Sequence, residues 1–494
     1  MSSGSGPSKD GLGGGRFPLW VGLALSVATV GPTLAMAGNG QELVGTVGRS
    51  IPLVFVIGLI GVSLVGYSFV RLTRHLNHAG SVYALVGVTV GPRAGFFAGF
   101  AMLGAYGAFC VGTLALTAAF ANSLLAELSR GSSTPPHQIP WLAIVIAGGA
   151  VSFALTGRDA QLLARILLAI EGVGITAMLV LAAVILARGG APATGVDFGT
   201  FTSSGVSAGA VLSGVVVAFL CWAGFEACTS MGEESDDPRR DIPRAIAGTL
   251  LLTGVLFVLV MFAQTIGFGT DRAGLNAFEH SANTLGDLGN SYIGEWFSLL
   301  IILTATIGAF GCHMATAATS GRMLFAFARD RMAPQWLARV DAGTGGPRRA
   351  VWLGVGLAIA ANTVCGLTGW PHGDTGDHAL DTYFVFATAG SVCLMVCYLL
   401  VEIATVWFVG APRFLPVHSG AGRTLGIVLP GIGALVIAVV LWFSVKDSAG
   451  WLAAPLIGLY WCAIGLTIAL AASRRAKRIG ASLAEEMAEA TQTR

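Results

Sequence analysis

The chain has 494 residues, of which 54% are hydrophobic and only 11% are charged, and its formal net charge is +2. A soluble domain carries roughly a quarter charged residues, so this composition excludes a soluble enzyme, a nucleic-acid-binding protein and a disordered scaffold. Because the apolar stretches run continuously instead of alternating, an outer-membrane β-barrel is excluded as well. At about 20 residues per membrane-spanning helix, the hydrophobic half of the chain is sufficient for about twelve spans.

The predicted elements begin after residues 1–16, a Gly/Ser-rich stretch that we expect to be a disordered cytoplasmic tail and not a signal peptide. Residues 473–494 are expected to form a second cytoplasmic tail. Between the tails, apolar runs predict spans 1 to 12 at about 17–38, 51–70, 91–127, 139–156, 162–187, 207–229, 244–268, 292–321, 350–369, 382–410, 424–445 and 450–472. The run 91–127 is long enough for one tilted helix that extends beyond the bilayer. The pattern predicts an all-α membrane protein.

The basic residues predict how these spans are oriented. With twelve spans both termini lie on the same side of the membrane, and 23 of the 28 Lys and Arg residues then fall on that side. An excess of basic residues marks the cytoplasmic side. We therefore expect cytoplasmic N- and C-termini in a plasma (inner) membrane. The Ala/Gly-rich, Lys-poor composition favours a bacterial membrane.

Spans 1 and 6 each contain a helix breaker near the middle. Span 1 contains Gly31-Pro32, and proline removes a backbone donor and clashes with the preceding turn. Span 6 contains Gly224, with the ionisable Glu226 close behind it. An interrupted helix at the start of each half of the chain is the pattern of a transporter built from inverted repeats. A simple proline kink, common in membrane helices, is the other interpretation of the span 1 break.

Three further stretches carry a family resemblance. Residues 231–246 read MGEESDDPRRDIPRAI after Gly-Phe-Glu at 224–226, residues 320–334 read SGRMLFAFARDRMAP, and residues 71–100 read RLTRHLNHAGSVYALVGVTVGPRAGFFAGF. Their order within a twelve-span frame resembles the amino acid–polyamine–organocation (APC) superfamily of permeases over nearly the whole chain. The resemblance implies a 5+5 inverted-repeat (LeuT-like) fold with broken helices 1 and 6 plus two extra C-terminal helices. Residues 17–472 are then the transporter domain, with spans 1–5 at about 17–187, spans 6–10 at about 207–410 and spans 11–12 at about 424–472.

The loop after span 6 combines acidic and basic side chains at one membrane face. Ion pairs between these groups could latch an inward gate, or the loop is solvated and only sets the topology. The gate candidates are Glu233, Glu234, Arg239, Arg240, Arg244, Arg322 and Arg329.

Among the ionisable residues inside predicted spans, where a charge costs on the order of 3 kcal/mol, four are candidates for a role: Glu171, Glu226, His313 and Glu402. The resemblance places Glu226 at a glutamate that couples protonation to gating; a structural hydrogen bond to a freed amide is the alternative. Glu171, midway along span 5, is the second proton-coupling candidate if it faces the helix bundle, and a neutral, structurally hydrogen-bonded side chain is the alternative. The resemblance implies a lysine near this place in some proton-coupled members of the superfamily. His313 in span 8 is either a titrating group or a bridge between helices. Glu402 in span 10 is expected to snorkel to the cytoplasmic face.

The resemblance also implies a substrate site between the two breaks. Backbone amides around Val30, Gly31 and Thr33 are implied to bind a carboxylate, and carbonyls of span 6 to bind an amine. The span 6 candidates are Leu220, Cys221, Trp222 and Ala223, with Leu220 at the position of the aromatic gate in many relatives. Polar candidates for the lining are Tyr106, Thr306, Thr388 and Ser391.

Together these features predict a secondary active transporter of an amino acid or related amine, working by proton symport with alternating access, and not an enzyme. A sodium-coupled symporter or exchanger of amino acids or polyamines is the alternative; a passive channel or an intramembrane enzyme would belong to a different class. The sequence has no G-x-x-x-x-G-K-[ST] phosphate loop and its eight cysteines form no C-x-x-C pair, so we expect no cofactor, no metal and no ATP drive. The expected partners are the substrate, a coupling proton and membrane lipids, and no nucleic acid.

Overall fold

The computed structural model describes residues 18–76, 81–129, 138–156, 160–203, 205–232, 235–281, 283–341, 345–373, 375–411, 421–446, 448 and 450–471. Within these ranges the regular structure is helical and contains no β-strand, which confirms the predicted all-α class. The α-helices are α1 (Leu19–Val30), α2 (Pro32–Gly38), α3 (Gly40–Val47), α4 (Ile51–Thr73), α5 (Val82–Thr89), α6 (Pro92–Leu128), α7 (Trp141–Leu155), α8 (Ala160–Ala187), α9 (Ala208–Cys221), α10 (Pro238–Phe268), α11 (Arg272–Glu279), α12 (Thr284–Tyr292), α13 (Glu295–Arg329), α14 (Arg348–Thr368), α15 (His378–Gly410), α16 (Ala421–Val445) and α17 (Ala454–Ala471). Short 3-10 helices lie at Gly48–Ser50, Phe198–Phe201, Ala227–Met231 and Gln335–Ala338.

Ten helical segments of the described chain are long and apolar enough to cross a membrane. They are Leu19–Gly38, Gly40–Thr73, Pro92–Leu128, Arg165–Ala187, Pro238–Phe268, Glu295–Arg329, Arg348–Thr368, His378–Gly410, Gly422–Val445 and Ala454–Ala471. Two shorter apolar helices, Trp141–Leu155 and Ala208–Cys221, lie where spans 4 and 6 are predicted. The chain is therefore a multi-pass membrane protein, since each of the ten segments is at least about as long as the hydrocarbon core is thick.

Large apolar side chains point away from the protein on several helices. Leu251 in α10 is 71% exposed, Leu367 in α14 is 78% exposed and Trp442 in α16 is 68% exposed. Soluble proteins rarely expose contiguous apolar patches of this kind, whereas lipid tails are as apolar as leucine. These outward faces therefore fit contact with lipid.

Helix α6 packs against both α13 and α15 over most of its length. The apolar run 91–127 is a single helix of 37 residues, Pro92–Leu128, as its length predicts. These three helices extend beyond the length needed to cross the hydrocarbon core. The interrupted segments pack against two of them: α1 and α2 against α13, and α9 against α15.

The first membrane segment, Leu19–Gly38, is interrupted at Gly31 between α1 and α2, and Asn39 separates its end from α3. A helix end leaves carbonyl groups without partners, and neighbouring helices supply donors here. Gln264 in α10 donates from Nε2 to the carbonyl of Met36 at 3.0 Å, and Thr284 in α12 donates to the same carbonyl at 3.2 Å. The end of α2 is therefore held by α10 and α12.

The segment after α9 is irregular over residues 222–226 and then forms the 3-10 helix Ala227–Met231. Aromatic rings enclose this segment. The Trp222 ring centroid lies 5.7 Å from that of Phe55 and 5.4 Å from that of Phe257, and the Phe225 centroid lies 5.7 Å from that of Phe69. Since aromatic pairs at this spacing attract one another beyond their buried area, the non-helical backbone is fixed within a packed core.

Candidate substrate and coupling site

The two predicted helix breaks exist and lie against each other. At the Gly31 break, Gly31 has φ 57° and ψ 65°; at the Gly224 break, between α9 and the 3-10 helix, Gly224 has φ 100°. Both are left-handed conformations that favour glycine. A Cβ atom at Gly224 would overlap the side chain of Thr29, two residues before Gly31. The interrupted backbone segments are thus direct neighbours.

Hydrogen bonds from other elements hold the Gly31 break. The backbone N–H of Cys228 donates to Oγ of Ser26 at 3.1 Å. The thiol of Cys312 in α13 donates to the carbonyl of Thr29 at 3.0 Å. Because Thr29 lies in the last turn of α1, its carbonyl has no partner in its own helix. Helix α1, helix α13 and the 3-10 helix Ala227–Met231 therefore meet beside the Gly31 break.

Glu226 lies two residues after Gly224, and its side chain is fully buried. Tyr106 in α6 donates its hydroxyl hydrogen to Oε1 at 2.7 Å, and Tyr398 in α15 donates to Oε2 at 2.6 Å. Each oxygen of the carboxyl group therefore has one phenol donor, from two different central helices. A buried charge is costly away from water unless such partners are present.

Of the two tyrosines, only Tyr106 is predicted from the sequence as a site residue. Tyr106 is predicted as a substrate liner, but its hydroxyl is bound to Glu226 and its side chain is buried. Tyr398 is absent from the predicted site. A signal for it exists, because a tyrosine inside an apolar helix needs a partner for its hydroxyl group. That signal identifies a polar contact without identifying Glu226 as the partner.

Glu171 in α8 is 3% exposed and lies at the start of α2. The Thr33 backbone N–H donates to its Oε1 at 2.6 Å, and the Thr33 hydroxyl donates to the same oxygen at 2.9 Å. A Cβ atom added at Gly308 of α13 would lie 3.0 Å from Oε2. The carboxyl group therefore lies between α2, α8 and α13, which correspond to predicted spans 1, 5 and 8.

The amides expected to bind a substrate carboxylate are engaged within the chain. The N–H of Thr33 is bound to Glu171, and the N–H of Gly31 donates to the carbonyl of Val27 at 2.9 Å. Pro32, between them, has no N–H. Val30 is buried as the last residue of α1.

Among the span 6 candidates, the carbonyl of Leu220 and the sulfur of Cys221 have partners within the chain. The carbonyl of Leu220 accepts the N–H of Ala223 at 3.0 Å. Cys221 accepts a hydrogen bond from Nδ2 of Asn39 at 3.6 Å, while Oδ1 of Asn39 accepts the Tyr383 hydroxyl hydrogen at 3.0 Å. Trp222 is fully buried among aromatic rings.

A cavity of about 400 Å³ lies between α3, α9, α15 and α16. Three predicted liners, Leu220, Thr388 and Ser391, contribute to its wall. Its remaining walls carry further hydroxyl groups and one carboxyl group, from Glu42 in α3, which the sequence analysis does not single out. A volume of this order is typical of a small-molecule site, roughly 300–1,000 Å³.

His313 and Glu402, the other two ionisable candidates inside predicted spans, are both fully buried. His313 in α13 is fully buried, and its Nδ1 lies 2.9 Å from the Cys110 carbonyl of α6, a helix-to-helix contact in which the ring nitrogen donates. The expectation that Glu402 snorkels is wrong, because its side chain is fully buried and accepts a hydrogen bond from Ser68 of α4. Because Glu402 lies near the end of a predicted span, its sequence position suggests exposure; it cannot show that Ser68 of α4 provides a buried hydrogen-bond partner.

The remaining candidates lie apart from the breaks. Thr306 is half-buried and donates to the Ile302 carbonyl of its own helix at 2.7 Å. Glu233 and Glu234 lie outside the described residues. Among the other gate candidates, Arg239, Arg240 and Arg244 are exposed in the first turns of α10, and Arg322 and Arg329 are half-buried in α13. Within the described ranges no group of three His, Cys, Asp or Glu residues is arranged to hold a metal ion.

The sequence is similar to those of known proteins over most of its length. The sequence model of the family described as "Amino acid permease" matches residues 19–468. The chain is 24% identical over 359 residues to the branched-chain amino acid permease BcaP of Lactococcus lactis subsp. cremoris, covering 69% of this chain and 73% of that protein. It is 23% identical over 440 residues to the low-affinity putrescine importer PlaP of Escherichia coli (strain K12), covering 84% of each. It is 26% identical over 368 residues to the mitochondrial cationic amino acid transporter 3 of Arabidopsis thaliana, covering 68% of this chain and 58% of that protein.

Proposed function

Because the chain belongs to the amino acid permease family, we propose that it is a secondary active transporter that moves an amino acid or related amine by proton symport. It is a permease and not an enzyme. Two of the similar proteins are named for branched-chain amino acids and for putrescine. Both kinds of molecule carry a protonated amino group at neutral pH, which is the feature common to the proposed substrates.

The proposed architecture has twelve spans, in which Trp141–Leu155 and Ala208–Cys221 complete the ten longer segments. Spans 1–5 and 6–10 would form two inverted repeats, with spans 11 and 12 added at the C-terminal end. Both tails, 1–16 and 473–494, would be cytoplasmic in a bacterial plasma membrane, as the distribution of basic residues favours. The neighbouring breaks at Gly31 and Gly224 support this arrangement, because such transporters bind substrate between two discontinuous helices.

The observation that carries proton coupling is the carboxyl group of Glu226 between two tyrosine hydroxyls. An ionised carboxylate accepts hydrogen bonds at both oxygens, whereas a protonated one also donates. Gaining a proton therefore changes the bonds that join the Gly224 break to α6 and α15. A change of this kind biases which helix arrangement is favoured, which is what alternating access by symport requires.

The basic residues at the start of α10 are proposed as part of an inward gate. Arg239, Arg240 and Arg244 are exposed there, within the same short segment as Glu233 and Glu234. Ion pairs at this inward gate would be replaced by contacts with water when the gate opens. The free-energy cost would be small, because exposed ion pairs contribute only about 0–1 kcal/mol.

Uptake into proteoliposomes tests this function. Purified full-length protein is reconstituted, and accumulation of radiolabelled leucine, lysine, ornithine and putrescine is measured with an alkaline interior, with a sodium gradient, and with neither. We expect accumulation of at least one compound with the alkaline interior and its collapse with a protonophore. Accumulation that follows only the sodium gradient would show that the coupling ion is not the proton.

The variant Glu226→Gln tests the coupling group. Glutamine keeps the shape of the side chain but cannot carry the proton, so gradient-driven accumulation should fall to the level of empty vesicles while exchange of internal for external substrate persists. Glu295→Gln, an exposed glutamate at the start of α13, is the matched control and should accumulate substrate normally. Undiminished accumulation in Glu226→Gln would remove Glu226 from the coupling step.

A further inference from the structure

The start of α2 offers little room for a substrate carboxylate. Helix N-termini attract anions because their first N–H groups lack partners. Here Pro32 has no N–H, the N–H of Thr33 is bound to Glu171, and the N–H of Gly31 is bound to Val27. A carboxyl side chain of the protein itself thus takes the first available N–H of this helix start.

The position of Glu171 is tightly determined. Oε1 accepts both the backbone and the hydroxyl hydrogen of Thr33. Gly174, one turn further along α8, packs against the Thr33 side chain, where a Cβ atom would overlap Oγ1. Oε2 receives no hydrogen bond from the described residues and faces Gly308. One oxygen therefore fixes the carboxyl group, and the other is available to a donor.

Carboxyl groups predominate among the buried Asp, Glu, Lys, Arg and His side chains. Among the described residues Glu127, Glu171, Glu226, Asp381 and Glu402 are buried, no Lys or Arg side chain is buried, and the one buried imidazole is that of His313. A carboxylate entering such an interior would find no Lys or Arg to pair with, and an unpaired buried charge is strongly unfavourable. A protonated amine would meet groups of opposite charge.

Within the described part of the chain, the wall of the 400 Å³ cavity also contains a carboxyl group and no Lys or Arg. Its charged side chain is that of Glu42, which is exposed, and its other polar groups are the hydroxyls of Thr46, Ser213, Thr388, Ser391, Ser444 and Ser448. Hydroxyl and carboxyl oxygens accept hydrogen bonds from an ammonium group. The one carboxyl group of the wall favours a cation, while the hydroxyl groups can bind either charge; Glu171 does not line this cavity.

We infer that the substrate is an organic amine without a carboxylate, and that Glu171 occupies the place where an amino acid would put its own carboxylate. The inference rests on the proposed transport function and narrows its substrate class. Oε1 of Glu171 binds the start of α2 permanently, and Oε2 accepts a hydrogen bond from the substrate ammonium group. A zwitterionic amino acid would have to displace Glu171 from Thr33 or leave its carboxylate unpaired.

Pairs of compounds that differ only by the carboxyl group test the inference. The pairs are ornithine and putrescine, lysine and cadaverine, and leucine and 3-methylbutylamine. Binding to the purified full-length chain is measured by the shift of its thermal unfolding midpoint across a concentration series, and uptake is measured in proteoliposomes. We expect the amine of a pair to bind at least about tenfold more tightly than the amino acid, since a site with unmatched buried charge discriminates strongly.

The outcomes separate this inference from the proposed function. Tighter binding and uptake of an amino acid than of its amine overturns the inference and leaves transport intact. If no member of any pair binds or is taken up, both the inference and the proposed function on which it rests are wrong.

Two variants test the part assigned to Glu171. Glu171→Ala frees the Thr33 N–H, and the ratio of amine to amino acid affinity should shift toward the amino acid by about tenfold or more. Glu171→Gln keeps an oxygen for Thr33 but removes the charge, so amine affinity should fall without a gain for the amino acid. Glu295→Ala is the control and should keep the wild-type ratio. A wild-type ratio in Glu171→Gln, or in a folded Glu171→Ala, removes Glu171 from substrate selection.

Discussion

The Gly31 break and the Gly224 break each lie beside a buried carboxyl group, but they hold it in different ways. At the Gly31 break the carboxyl group belongs to another helix, α8, and is bound by a backbone N–H and by the hydroxyl of the same residue, Thr33. At the Gly224 break the carboxyl group of Glu226 belongs to the broken segment itself and is bound by two tyrosine side chains.

This difference indicates different uses for the two carboxyl groups. A backbone N–H at a helix start has a fixed direction, so Glu171 is held as a permanent part of the site. A phenol hydroxyl can rotate and find another acceptor, and the two tyrosines of Glu226 come from separate helices. The Gly224 break is therefore better suited to a change of hydrogen bonds, and the Gly31 break to a constant shape. Three predictions test this comparison.

The largest effect is expected from alanine at the two glycines. Both have left-handed backbone conformations, which cost a residue with a side chain roughly 1–2 kcal/mol. At Gly224 the added Cβ would also lie 2.9 Å from Cβ and 3.1 Å from the backbone carbonyl carbon of Thr29, whereas at Gly31 it would meet mainly the flexible end of Leu34. Gly224→Ala should therefore lower the thermal unfolding midpoint of the purified protein more than Gly31→Ala, and abolish uptake.

The control for this pair is Gly248→Ala in α10, where an added Cβ would make only ordinary contact, 3.5 Å from Leu23. Alanine is also the better helix former there, so stability should not fall. Equal midpoints for Gly31→Ala and Gly224→Ala would contradict the claim that the Gly224 break is the more tightly packed of the two.

An intermediate effect is expected from removing one hydroxyl beside Glu226. Tyr398→Phe and Tyr106→Phe each delete a hydrogen bond to the carboxyl group, and such bonds to charged groups contribute about 1.5–3 kcal/mol. Each variant should change the dependence of uptake on external pH, because the ionised form of Glu226 loses a donor. Initial uptake rates across a pH series provide the measurement.

Tyr292→Phe is the matched control, since the Tyr292 hydroxyl donates to the Gly267 carbonyl at 3.0 Å, away from both breaks. Its pH profile should match the wild type even if its stability falls. Wild-type profiles for both Tyr106→Phe and Tyr398→Phe would mean that the phenols serve packing alone.

The smallest effect is expected from Thr33→Val. Valine has nearly the same shape as threonine and keeps the backbone N–H that binds Glu171, so only the hydroxyl bond is lost. A single hydrogen bond contributes about 0.5–1.5 kcal/mol, and the wild-type preference between amine and amino acid should persist. A reversal of that preference in the binding series would show that the hydroxyl, and not the backbone, positions Glu171.

Much of the fold follows from local sequence properties. Continuous apolar runs predict the membrane helices because a backbone in lipid must satisfy its own hydrogen bonds, and Gly31-Pro32 and Gly224 predict the breaks because glycine and proline act on their own residues. The contacts within the candidate site cannot be predicted from local sequence properties, because they join residues that are far apart in the chain. The expectation for Glu402 fails for this reason, since the partner Ser68 lies 334 residues away in the chain.

Hydropathy, helix-breaking residues and family motifs are properties of short stretches, and they suffice to predict a helical membrane permease with breaks at two glycines. The contacts of the buried carboxyl groups depend instead on the packing of distant helices. Thr33 and Glu171 are 138 residues apart, and Tyr398 and Glu226 are 172 residues apart. A buried polar group takes its partner from whichever helix packs beside it, and that neighbour is set by the packing of the whole chain.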